Sequence, residues 1–244
     1  MRRVTFQSVL HGTARQIGLD PTRDLQGALT AGLLEFLNQR VAEAWRWDFW
    51  KEWTLTESRT RLGNSTDGYY FPLAETDQTT IETVKGCFKR NPKLYPGSPW
   101  PVDFSLTDDG ILVRQPPETL YVQFRPAPPV FETTVWSASA TYAAGDLRYR
   151  SSSGSNGETY VALQASTNKD PLTETTYWER VDFPEALAGF VKRAAAADYL
   201  RAQRQEDRAN QLLALANEEL MAALDRDQDS QQQYERVNVV SYGR

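Results

Sequence analysis

The chain has 244 residues, 40% of them hydrophobic and 24% charged, with a formal net charge of −5. That balance fits a globular protein with one large or two small domains, and it disfavours a general nucleic-acid binder, which needs a basic face, while leaving room for a local basic patch on a ring-shaped oligomer. A single cysteine, Cys87, excludes an intrachain disulfide and points to a reducing compartment.

No apolar run reaches the roughly 18 residues of a membrane span, and the start MRRVTFQSVLHG has no apolar stretch suited to secretion. Residues 4–17 read as a helix, with Val4, Phe6, Val9, Leu10, Ala14 and Ile17 at helical spacing and Gly18 and Asp20-Pro21 as its stop. A longer helix is expected from about Leu25 to Phe49, on a stripe of Leu29, Leu33, Leu34, Leu37, Val41 and Trp45. It ends in AWRWDFWKEW. That aromatic cluster reads as a packing knot; the competing reading, a stacking platform, lacks flanking basic or Gly-rich sequence.

From Leu55 to Phe131 the pattern turns to short strands: 54–61, 69–73, 80–89, a hairpin of 104–106 with 111–114, and 119–125. Asp-Gly at 109–110 marks the hairpin turn. NPKLYPGSPWP is a proline-rich loop of limited freedom. Residues 184–229 return to helix on stripes of Leu187, Phe190, Val191, Ala194 and of Leu212, Leu213, Ala216, Leu220. RAQRQEDRAN between them is either a turn joining an antiparallel pair or the middle of one long helix. The β-prone Val237–Val240 has no neighbouring strand to pair with, so it either frays or is ordered by another chain, and residues 230–244 are expected to form an extended arm.

Catalytic patterns find little to hold. His11 is the only histidine, so neither a His triad nor a multi-histidine metal site is available. Neither a P-loop nor G-x-G-x-x-G occurs. Asp108-Asp109 beside Gly110 reads as turn chemistry rather than a carboxylate pair. The chain is expected to be no enzyme and to need no cofactor.

Between the β region and the second helical region lies a stretch rich in Ser, Thr, Gly and aromatics. Trp136, Tyr142, Gly145-Asp146, Tyr149, Tyr160, Ala162-Leu163, Pro171, Trp178 and Val181 form a string that resembles the small chitin-binding-type carbohydrate modules of bacterial chitinases. The resemblance implies an all-β module over 132–183, with glycan contact at Tyr142, Tyr160 and Tyr177. One departure weighs against sugar binding: Gln164–Lys169 stands where an exposed aromatic is usual.

The remaining layout runs from two helices closing on WRWDFW, through a β region, to AAAADYLRAQRQEDRANQLLALANEEL and a Gln-rich tail. This layout resembles the head–tail connector (adaptor) proteins of tailed bacteriophages. The resemblance implies an α+β chain: a helical bundle and small antiparallel β region over 1–131 and 184–229, carrying the inserted β module. It implies a virion protein assembled in the host cytoplasm as a homo-oligomeric ring of about twelve copies. The expected partners are the portal protein and a tail or tail-completion protein, with DNA passing through the ring and no membrane. The arm would meet the portal through Tyr234, Val237, Val239, Val240 and Tyr242. The alternative function is a glycan-binding module displayed on a virion or cell surface.

Overall fold

In a computed structural model of the chain, the described residues are 2–25, 27–47, 50, 53–65, 68–73, 80–95, 100–108, 110–114, 119–153 and 156–240, with 27, 28, 64, 65, 152, 153, 156 and 228–240 described by backbone alone. In order, the elements are β1 (Arg3–Thr5), α1 (Phe6–Gln16), α2 (Gly27–Trp47), β2 (Leu55–Thr60), β3 (Gly63–Ser65), β4 (Gly68–Phe71), β5 (Ile81–Phe88), β6 (Phe104–Thr107), β7 (Gly110–Val113) and β8 (Thr119–Pro126). There follow β9 (Thr141–Tyr142), β10 (Leu147–Ser153), β11 (Asn156–Ala162), β12 (Ser166–Thr167), β13 (Trp178–Arg180), β14 (Asp182–Pro184), α3 (Glu185–Ala202) and α4 (Glu206–Val240).

The chain is α+β and divides into two compact units. One comprises Met1–Trp47 and Pro128–Leu224, the other Asp48–Ala127 and Asp225–Arg244. This differs from the division drawn from sequence, which joined the β region to the helices and set 132–183 apart.

In the first unit, the Thr5 hydroxyl accepts a hydrogen bond from Ser8 N at 3.3 Å and caps α1. The helix begins at Phe6, not Val4, because residues 3–5 pair antiparallel with β14, Val4 opposite Phe183. A pairing so distant in sequence overrides local helical spacing. α1 buries Phe6, Val9 and Leu10; α2 buries Leu33, Leu37, Val41 and Trp45. α3 packs against both. Its run Ala194–Ala197 is fully buried, and small side chains let helix axes approach closely. Arg40 and Asp198 form a two-bond pair, Nε–Oδ2 and Nη2–Oδ1 at 2.6 Å each, fixing α2 to α3. Those hydrogen bonds hold the Arg40 guanidinium above its ordinary basicity.

Residues 203–205 form a turn between α3 and α4, with Arg204 at φ 60° and Gln205 N bonded to Leu200 O at 2.9 Å. α4 buries Ala209, Ala216, Leu220 and Ala223, and Arg193 of α3 pairs with Glu219 at 3.1 Å.

The stretch 132–181 belongs with these helices because several bonds fasten it there. Phe131 stacks with Phe6 at 4.8 Å and lies 6.3 Å from Phe183. Asn38 grips Phe131 by both backbone groups, Nδ2 donating to O and Oδ1 accepting from N, each at 2.9 Å. The Glu158 carboxylate on β11 accepts from Gln7 N at the start of α1, at 3.2 Å. Within the stretch, β10, β11 and β13 make an antiparallel sheet and β9 pairs with β12. Tyr142, Ala162 and Trp178 form its small core.

In the second unit, β2-β8-β5 and β3-β4-β7-β6 are antiparallel sheets whose inward residues share one core: Phe71, Ile81, Cys87, Ile111, Val113, Leu120, Val122 and Phe124. Alternation along β8, with Leu120, Val122 and Phe124 buried, is what its sequence predicts. The β6–β7 hairpin closes with Thr107 opposite Gly110, which sits at φ 130°. A Cβ on Gly110 would lie 2.3 Å from Phe71 O, so only glycine fits.

The expected extended arm is not present over residues 230–240. α4 runs unbroken for 35 residues to Val240. Extending an existing helix adds one backbone hydrogen bond per residue without a new nucleus, which outweighs the few tenths of a kcal/mol that each Val costs.

Candidate interaction surface

The second unit carries a loop tied shut at its base. β5 leaves through Cys87 and Lys89, and the chain returns beside itself before β6. Val102 N donates to Cys87 O and Lys89 N to Trp100 O, both at 2.9 Å, with Phe88 and Pro101 bridged between them. Within the loop, the Asn91 side-chain oxygen accepts from Lys93 N at 2.9 Å. The Asn91 carbonyl accepts from Leu94 N and Tyr95 N at 3.1 and 3.0 Å. These bonds hold the loop's apolar side chains outward. Leu94 is 71% exposed, Tyr95 52% and Trp100 51%.

Cations stand among them. The Arg90 guanidinium lies 4.2 Å from the Trp100 ring centroid and 5.7 Å from that of Tyr95. Lys89, Arg90 and Lys93 are all exposed. Trp100 sits at φ 53°, in the left-handed region a bulky side chain rarely adopts. Such a conformation costs on the order of 1–3 kcal/mol, and the flanking ladder bonds hold it in place.

Beside the loop, on the β6–β7 hairpin, is an open cavity of about 600 Å³, lined among others by Lys89, Val102, Asp103, Phe104, Leu112 and Arg114. Among the described residues neither Lys89 nor Arg114 is ion-paired. The whole surface thus offers exposed rings, one long aliphatic side chain and unpaired positive charge, a combination that suits an apolar partner surface with acidic groups on it.

Sequence reading passed over this loop as a proline-rich connection. A signal was present: residues 83–102 contain Lys85, Lys89, Arg90 and Lys93 and no Asp or Glu, in a chain with 32 acidic residues.

The residues expected to touch a glycan lie elsewhere and do not form a platform. Tyr142 is 2% exposed and stands edge-on to Trp178 at 5.1 Å. Its hydroxyl accepts from Ser137 N at 2.7 Å and donates to Ser137 O at 3.0 Å. It is a core residue, and the expectation that it contacts a glycan is corrected. Tyr160 and Tyr177 are half-buried against the same core, with the Lys169 ammonium 5.0 Å over the Tyr177 ring. Trp136 lies beneath Arg150 at 5.0 Å, and Asp170 holds that guanidinium at 3.0 and 2.5 Å.

Of the residues expected to meet the portal, Tyr234, Val237, Val239 and Val240 have helical backbone, and Tyr242 lies outside the described residues. Of the tryptophan cluster, Trp45, Trp50 and Trp53 are buried and Trp47 is half exposed; Phe49 lies outside the described residues. Burial pushes the Cys87 thiol up to about 12, so it stays protonated and unreactive. Asp108 lies in the hairpin turn, and Asp109 is outside the described residues. Among the described residues, no three His, Cys, Asp or Glu side chains gather as a metal site requires. No helix there is long and apolar enough to cross a membrane.

No protein-family model matches the chain. No curated protein matches it either.

Proposed function

We propose that this chain is a structural subunit of a tailed-phage head–tail connector. It assembles as a homo-oligomeric ring around the DNA channel, binds the portal on one side and receives a tail or tail-completion protein on the other. The observation that carries the reading is the tied loop that holds Leu94, Tyr95 and Trp100 in solvent among Lys89, Arg90 and Lys93. Exposed Trp, Tyr and Arg on an ordered scaffold are what protein–protein contacts concentrate their binding energy in. A strained Trp100 kept outside a core is consistent with a side chain held for a partner.

In this reading α1 to α3 and the first half of α4 form the helical body. The sheets of 132–181 are a decoration of the chitin-binding type that has become part of that body, since Glu158 and Thr159 are committed to α1 and to Glu132. The portal-facing segment is then the late turns of α4 rather than a strand. Glycan binding is the weaker reading, because Tyr142 is taken up by the core and Lys169 covers one face of Tyr177.

The test is electron microscopy and native mass measurement of the purified chain, alone and with portal rings of the same phage. A ring seated on the portal is the expected outcome. A monomer that ignores portal and is retained on chitin or peptidoglycan would replace this reading with the glycan one.

A further inference from the structure

The outer face of α4 offers what the tied loop lacks. Asp207, Ala214, Glu218 and Met221 are spaced to fall on one side of the helix, with Leu215 at its edge, opposite the buried Ala209, Ala216, Leu220 and Ala223. Leu215 is 43% exposed and Met221 50%, and Asp207, Ala214 and Glu218 are exposed beside them. From Asp207 to Leu224 the only basic residue is Arg208, and its guanidinium is turned aside onto Gln16 O at 3.3 Å. This face is therefore apolar and acidic, and the loop is apolar and basic.

We propose that the loop's partner is a second copy of this chain: Leu94, Tyr95 and Trp100 of one copy dock on the Ala214–Leu215–Met221 face of α4 in the next, with Lys93 and Arg90 set against Glu218 and Asp207. Two observations carry it. The charges are complementary in sign: four basic residues with no acid over 83–102 face Asp207 and Glu218 with no free basic neighbour on their face. Both faces also leave large apolar side chains in solvent. The two surfaces differ, so the contact is heterologous and passes from copy to copy, as a ring needs and a two-fold dimer does not. The inference rests on the connector reading only in requiring self-assembly; it names the surfaces that perform it.

The test uses the full chain in sedimentation velocity and native mass measurement. Lys93→Glu and Glu218→Lys each reverse one exposed charge, and each should weaken self-association about tenfold or more. The double variant should recover most of that loss, because the pair is restored with its signs exchanged. Trp100→Ala should weaken association as well, and raising salt from about 0.05 to 0.5 M should do so in the wild type. Circular dichroism and melting of every variant should match the wild type, since all three side chains are exposed. Assembly unchanged in both single variants, or a double variant no better than the singles, overturns the docking while leaving the connector reading standing. A wild-type chain that stays monomeric, with and without portal, overturns both. Capture on nucleic acid without self-association overturns the docking in favour of a different partner for the loop.

Discussion

Removing the Asn38 amide should loosen the first unit at one identifiable point. Asn38 satisfies both backbone groups of Phe131, each at 2.9 Å, and Phe131 is 1% exposed between Phe6 and Phe183. In Asn38→Ala the Phe131 N–H and carbonyl lose their partner together. An orphaned buried polar group costs about 1–3 kcal/mol, and partial access of water to Asn38 favours the lower end of that range, about 1–1.5 kcal/mol for each group. The two groups together should therefore cost about 2–3 kcal/mol. At about 2–4 °C per kcal/mol for a chain of this size, Tm should fall by roughly 4–12 °C. Calorimetry and urea unfolding measure the loss, and hydrogen exchange at the Phe131 amide locates it. Asn38→Leu separates hydrogen bonding from volume: it fills the space and leaves the same two groups unpaired, so it should be as damaging as alanine. A loss below about 0.5 kcal/mol in both variants, or an unchanged Phe131 exchange rate, would refute the clasp.

Two further outcomes follow from local geometry. Gly110→Ala should cost the second unit more than about 2 kcal/mol in urea unfolding, because the new Cβ meets Phe71 O at 2.3 Å and φ 130° is strained for any side chain; a loss within about 0.5 kcal/mol would contradict the hairpin geometry. Glu158 has its pKa raised by burial, against the lowering effect of hydrogen bonds from Thr5 and Gln7. A carboxyl that holds its proton more tightly when folded contributes most stability below the unfolded carboxylate range of about 4.3, and that contribution is lost as pH rises through the folded value. Glu158→Gln should remove that part of the decline as pH rises above about 4.3. Stability profiles of identical slope would show that the half-buried carboxyl is not its source.

The individual strands were legible because their patterns are local. β8 alternates apolar and polar residues along TLYVQFR, and Asp109-Gly110 announces the hairpin before any partner strand is known. Helices α2 and α3 announced themselves by their stripes. What sequence could not convey was grouping. Val4 reads as a helical residue until Phe183 is placed opposite it, and nothing near Phe131 signals that Asn38 holds it. Tyr142 matched a binding pattern by position, yet its two-residue strand faces Trp178, so its ring serves the core. Val237–Val240 looked like a strand because β-branched propensity is a weak local term, and a helix already 31 residues long simply continued through it. The Trp100 loop was read for its shape alone. Its prolines drew notice, while its run of bases without acids is the feature on which the proposed docking draws.

The pairing of β1 with β14 also sets a schedule for the growing chain. Arg3 must wait for Pro184, roughly 180 residues later, before its strand can close. At about 5–20 residues per second on the ribosome, that interval is on the order of 10–40 s. The strands of the second unit's β core all lie between Leu55 and Pro126 and can be complete before α3 is made. During the wait Leu33, Leu37 and Val41 of α2 have no α3 to cover them, so the helical unit is the late step of synthesis. A copy whose β unit and tied loop are finished at that stage still lacks the α4 face that the proposed docking asks of it, so closing a ring would wait for the last helix.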